Sequence, residues 1–115
     1  MTFFDSIWFD EICISKKVHC ANSFKQRLLG LFAYKKLDKD ECLVLFKCSS
    51  IHTFFMSYSI SVVFLSKSNQ ILKVVDKVKP FRAVWCHNAD KAVEFLAQDL
   101  SSECKVGGVM RFNKK

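Results

Sequence analysis

Apolar and polar positions alternate in short runs along most of this chain, and each run is of strand length. Glu11 to Val18 is the first, with Ile12, Ile14 and Val18 sharing one face while Cys13 and Ser15 alternate with them. Asn22 and Ser23 can then cap a short helix, because Phe24, Leu28 and Leu31 fall at helical spacing and Gly30 offers a C-terminal break. The charged tract Lys35 to Glu41 reads as a loop.

The strand signal then becomes dense. Cys42 to Lys47 and Thr53 to Met56 are predicted strands. Ile60 to Leu65 is apolar on both faces apart from Ser61, which predicts a mid-sheet strand with Phe64 buried. Ser66 to Asn69 is a polar turn leading into Ile71 to Val78, whose Lys73 and Lys77 make one face half exposed. Pro80 should end that strand. Ala92 to Ala97 and Val109 to Phe112 complete the strands, with one helical turn predicted at Asp99 to Glu103. The expected fold class is α+β, mainly β: a small curled antiparallel sheet or barrel-like domain with one or two short helices. At 115 residues there is room for one domain, 1–115.

Composition adds core material and charge. Twelve Phe, two Trp and two Tyr supply apolar area for a compact core. The start of the chain, with Asp5 inside its apolar run and no basic residue before it, does not read as a signal peptide, and no stretch approaches the ~20 apolar residues of a membrane span. A cytoplasmic location is expected. The six Cys contain no C-x-x-C pair and sit mostly in apolar runs, so reduced thiols are expected. The formal net charge is +7, with Lys16 to Lys39 and Lys67 to Arg82 strongly basic. Most of the cations are Lys, poor at bidentate base reading, so any nucleic-acid affinity should be non-specific and salt-sensitive.

Several segments in order resemble one family. His52-Thr-Phe-Phe-Met56, then Ile60, then Val62-Val-Phe-Leu65 is similar to the central signature of the domain of unknown function 192 family. Arg27-Leu-Leu-Gly-Leu31, Ala92-Val-Glu-Phe-Leu96 and Val106-Gly107 resemble three further family segments, and the likeness spans about residues 10 to 113. The resemblance implies a compact β-rich domain and carries no assigned activity. It also marks departures. Ser59 and Ser61 stand where the family usually has Pro and Asp, Ser57 where a basic residue often follows the Met, Gln98 where a Gly usually follows the strand, and Gly108 where the closing turn has Asp.

Candidate chemistry centres on Glu94, a carboxylate inside an apolar strand that matches the family's strand acid. It could hold a cationic or hydroxylated ligand, or act as an acid or base with a raised pKa. The plainer reading, a strand acid facing water or paired with Lys or Arg27, is preferred on general grounds. Arg27 matches a basic family position and is expected near Glu94, since Arg suits partly buried ion pairs. Ser61 and His52 complete the candidate ligand-binding set. Cys48, His52, Cys86 and His87 do not have the spacing of a structural zinc site, since adjacent strand residues point to opposite faces. Phe54, Phe55, Phe64, Phe81 and Trp85, with Lys nearby, could form a stacking surface but are read first as core. The resulting expectation is a non-catalytic module, without cofactor, that binds a small ligand or a protein partner. An enzyme using Glu94 and Arg27, and a non-specific polyanion binder, are the alternatives.

Overall fold

The computed structural model describes residues 5–21, 37–54 and 56–113. They form ten strands: β1 (Ser6–Phe9), β2 (Ile12–Ser15), β3 (Lys17–Ala21), β4 (Glu41–Phe46), β5 (Ser50–His52), β6 (Ile60–Leu65), β7 (Ile71–Val78), β8 (Ala83–Trp85), β9 (Lys91–Leu96) and β10 (Met110–Asn113). A five-stranded sheet runs β3-β4-β9-β6-β7, a three-stranded sheet runs β10-β1-β2, and β5 pairs with β8 alone. The predicted central strand is β6, buried at all six positions and flanked by β9 and β7.

Both faces of the large sheet are covered, which is why β6 carries no polar face. On one face Cys42, Val44, Val63, Leu65, Val93 and Phe95 pack against Ile7, Phe9, Ile14 and Met110 of the small sheet. On the other, Leu43, Leu45, Ile60, Val62, Phe64 and Ala92 pack with Cys48, Ile51 and Met56, and Val84 of β8 lies against them.

Three expectations are corrected. The large sheet is mixed rather than antiparallel, because β3 and β4 pair in parallel from Lys17↔Glu41 to Ala21↔Leu45. It does not close into a barrel: among the described residues its outer strands, β3 and β7, each pair on one side only. There is also no helix among the described residues. The turn predicted at Asp99 to Glu103 is one hydrogen-bonded loop, with Cys104 N donating to Leu100 O at 2.7 Å. The Asp76 carboxylate holds its start, accepting from Leu100 N at 2.8 Å and from Ser101 Oγ at 2.6 Å. The helix predicted after Asn22 lies outside the described residues.

The strand predicted over Glu11 to Val18 is broken in two. Buried Ser15 donates to Asp40 O at 2.8 Å, and the amides of Lys16 and Lys17 donate to the same carbonyl at 2.9 Å. Those bonds turn the chain out of the small sheet and into the large one. The strand predicted at Thr53 to Met56 sits earlier, as β5, and its partner β8 was not anticipated.

The closing turn explains one family departure. Gly107 has φ +94°, a backbone state that favours glycine, and donates to Ile71 O at 2.8 Å. At Gly108 a β-carbon would lie 2.5 Å from Cε1 of the buried Phe9 ring. The glycine at this position makes room for Phe9 in the core.

All six cysteines are free. Burial pushes the Cys42 thiol up to about 12 and the Cys104 thiol up to about 11, which suits their role as small core hydrophobes.

Candidate functional site

Glu94 lies at the centre of the large sheet. On β9 it is opposite Leu43 of β4 and Val62 of β6, and directly opposed residues share a face. Both directly opposed residues are therefore apolar, and Glu94 is only 7% exposed. Burial raises the carboxyl from 4.5 to about 7, since low-dielectric surroundings disfavour the charged form. Among the described residues, no side-chain hydrogen bond or ion pair reaches it.

The sheet register brings a second carboxylate to the same face. Glu41 pairs with Lys17 in the parallel ladder, and it lies two positions before Leu43 on β4. It is thus a diagonal neighbour of Glu94, a relation that spaces residues by about 7–8 Å. Glu41 is buried but well held: Oε2 lies 2.9 Å from His19 Nε2, and Oε1 accepts from Asp38 N at 3.0 Å. Tyr58 completes the group. Burial pushes its hydroxyl up to about 12; the Leu37 backbone opposes this, while the charges of Glu94 and Glu41 add to it. Tyr58 therefore remains a protonated donor within the field of both carboxylates.

This arrangement joins an acceptor that titrates near neutrality to a phenol that does not. It can accept a cation or a hydrogen-bond donor at Glu94 and donate from Tyr58. Tyr58, Glu41 and His19 were missed by sequence reasoning, because Glu41 and His19 are brought toward Glu94 only by the pairing of β4 with β3 and β9, and Tyr58 only by the loop that leads into β6 beside β9. Among the described residues, no three His, Cys, Asp or Glu side chains cluster in a way that could hold a metal ion.

The other candidates fall elsewhere. Arg27 lies outside the described residues. Ser61 pairs with Phe95 and so faces away from Glu94. Its hydroxyl donates to Gln98 O at 2.7 Å and accepts from Gln98 N at 2.9 Å and Lys77 N at 3.2 Å. It thereby fills the ladder at a register shift between β6 and β7, where Lys77 has φ 54°. Ser61→Ala is expected to lower stability by about 1–3 kcal/mol, because it leaves backbone N–H groups without an acceptor. Urea unfolding of the two proteins measures this, and an unchanged midpoint would show the hydroxyl to be dispensable. His52 is exposed on β5, its ring 5.1 Å from that of Phe54, on the side of the ribbon away from Ile51.

An open cleft of about 450 Å³ lies apart from Glu94, lined by Phe46, Asn69, Lys91, Met110, Arg111 and Phe112 among others. Its lysine is already paired with a carboxylate. Lys91 Nζ lies 3.3 Å from the Asp90 carboxylate and donates to Ser66 O and Lys67 O, and Arg111 donates to Asp10 O. Glu94 is the stronger candidate.

The family model described as DUF192, Uncharacterized ACR, COG1430, matches residues 10–110. The chain belongs to the DUF192 family. Two crystal structures share its fold. One is a Sinorhizobium meliloti 1021 protein named "putative transcription regulator", 13% identical, with a TM-score of 0.73 over 83% of this chain and 80% of that one. The other is a Novosphingobium aromaticivorans DSM 12444 protein of unknown function, 11% identical, with a TM-score of 0.71 over 84% of this chain and 74% of that one. No curated protein matches. Within this DUF192 chain the segment Ala92 to Leu96, which resembles the family's strand, falls in β9, and Glu94 is its buried carboxylate.

Proposed function

We propose that this DUF192 chain is a one-domain, non-catalytic binding module whose ligand presents a cation or a hydrogen-bond donor to Glu94. The observation that carries this reading is a buried carboxylate at the centre of a sheet with no side-chain partner among the described residues. A buried polar group without a partner is costly, and such groups are kept where a ligand completes them. Tyr58 supplies a donor for the same ligand, and Glu41 adds negative potential.

The enzyme reading draws on the same residue, since a carboxyl titrating near 7 lies in the range of a general base. It needs a second reacting group, and the Tyr58 hydroxyl is held too far from neutrality to exchange a proton readily. Binding is therefore the better-supported reading. The free thiols support a reducing compartment such as the cytosol. Among the described residues, no helix is long and apolar enough to cross a membrane. At 13% identity, the likeness to the S. meliloti protein supports a shared fold and no regulatory role.

The test is a thermal-shift panel of arginine, a diamine, guanidinium and small polyols at pH 8, run on the parent and on Glu94→Gln. A ligand that binds only the native state raises Tm. At least one cationic or donor compound is expected to raise the parent's Tm and to leave Glu94→Gln unmoved. Equal shifts in both proteins, or none in either, would overturn the proposal.

A further inference from the structure

The aromatic residues read from the sequence as core divide in the fold. Phe64 is fully buried, but Phe54, Phe81 and Trp85 are 46%, 70% and 63% exposed. All three exposed rings belong to the ribbon of β5 and β8 or to the turn beside it. The register is Ser50↔Trp85, Ile51↔Val84 and His52↔Ala83. Ile51 and Val84 face the core, so Ser50, His52, Ala83 and Trp85 share the outer face.

Thr53 follows on the Ile51 side and anchors the end of the ribbon. It is fully buried, its N donates to Arg82 O at 2.8 Å, and its O accepts from Phe81 N at 2.9 Å. Its hydroxyl donates to Lys79 O at 2.7 Å and accepts from Arg82 N at 3.0 Å. These bonds clamp the 79–82 turn, in which Phe81 adopts φ 64°. A bulky residue in that backbone region is a true outlier, and it places a large ring in solvent with little burial to offset the strain. Ala83 and Trp85 share the outer face on β8, with Phe81 in the turn just before it, and on β5 the His52 ring lies 5.1 Å from that of Phe54, which follows it. Four residues of extended chain span ~13 Å, so Phe81 and Trp85 stand as the two ends of a spaced row rather than a single projecting tip.

The row is bordered by positive charge. Between residues 66 and 89 the chain has Lys67, Lys73, Lys77, Lys79 and Arg82 against Asp76 alone. The Asp76 carboxylate is occupied by Leu100 and Ser101. Lys73 Nζ donates to Trp85 O at 2.9 Å, which sets an ammonium against one end of the row. Arg82 donates to Phe81 O at 3.3 Å at the other end.

We infer that this face binds single-stranded nucleic acid, with bases stacked on Trp85, Phe81 and Phe54 and phosphates held by Lys73, Lys79 and Arg82. Exposed rings in a basic groove or face are the combination that sequence-tolerant single-strand binding uses. A duplex would engage the lysines but keep its base faces closed to the rings. This surface is separate from Glu94 and does not depend on the ligand proposed there.

The experiment is fluorescence anisotropy of a labelled fifteen-residue oligo(dT) in about 50 mM salt, with a duplex of equal length and phosphatidylserine vesicles as comparisons. Binding to oligo(dT) is expected, stronger than to duplex, weakening steeply as salt rises. Quenching of Trp85 is expected in a Trp8→Phe background, which leaves Trp85 as the sole tryptophan. Trp85→Ala and Phe81→Asn each keep the charge, and asparagine tolerates the turn's backbone. Each is expected to weaken binding about fivefold or more, with Tm near that of the parent. No binding, parent affinity in both ring variants, equal affinity for duplex, or binding to vesicles in place of oligo(dT) would each overturn the inference.

Discussion

Phe64→Ala is expected to lower the unfolding free energy by ~3–5 kcal/mol, the largest effect of any single change considered for this chain. The ring is completely buried on β6, opposite Ala92 of β9 and Lys73 of β7. It packs in the cluster that includes Leu45, Ile51, Val62 and Ala92, so it joins the large sheet to the layer containing β5. A small residue already stands opposite it at Ala92, so there is no bulky neighbour on β9 to fill the void. Equilibrium urea unfolding measures the loss. A midpoint within error of the parent would contradict the central position of β6.

The second large effect depends on pH. The Glu94 carboxyl rises from 4.5 to about 7 on folding, through burial. Between those pH values the folded protein keeps a proton that the unfolded chain has released. Stability therefore falls as pH rises from about 4.5 through 7 and levels off above. At 1.36 kcal/mol per pKa unit, the full change is roughly 3 kcal/mol. Glu94→Gln is expected to remove this slope, matching the parent near pH 4.5 and exceeding it at pH 8. Thermal and urea melts at both pH values decide the matter. A variant less stable than the parent at pH 8 would mean that the charged carboxylate has a structural partner. Arg27→Met would then identify that partner, because a coupled pair loses less in the double mutant than the singles sum to.

Local patterns revealed what local forces determine. Ile60 to Leu65 could be read as a central strand because a strand buried on both faces has no polar face, and β6 has none. Glu94 stood out for the converse reason, a charge among apolar neighbours. The break between β2 and β3 was hidden because it depends on Asp40 O, a carbonyl distant in sequence that accepts from Ser15, Lys16 and Lys17. The neighbourhood of Glu41, His19 and Tyr58 was hidden for the same reason, since strand pairing creates it. The exposed rings were misjudged because alternation identifies two faces of a ribbon without saying which one is covered. Ser61, which stands where the family usually has Asp, is read from the sequence as a candidate ligand-binding residue. Its hydroxyl accepts two backbone N–H groups and donates to Gln98 O, so its role in this chain is structural, and only the accepting half of that role is open to a carboxylate.

The small sheet is assembled from distant parts of the chain. β1 pairs with β10 from Ser6↔Asn113 to Phe9↔Met110, while β2 flanks β1 on the other side. Ile7 and Phe9 are therefore synthesised long before the strand that pairs with them. Until β10 emerges, β1 and β2 can form only a hairpin, which alone is marginal in water. Closing so long a loop precedes the reward of its contacts, which places completion of this layer late in folding. During that interval the inner face of β9 and β6 lacks part of its cover, so a chain stalled before β10 would expose Val63, Val93 and Phe95 to intermolecular association.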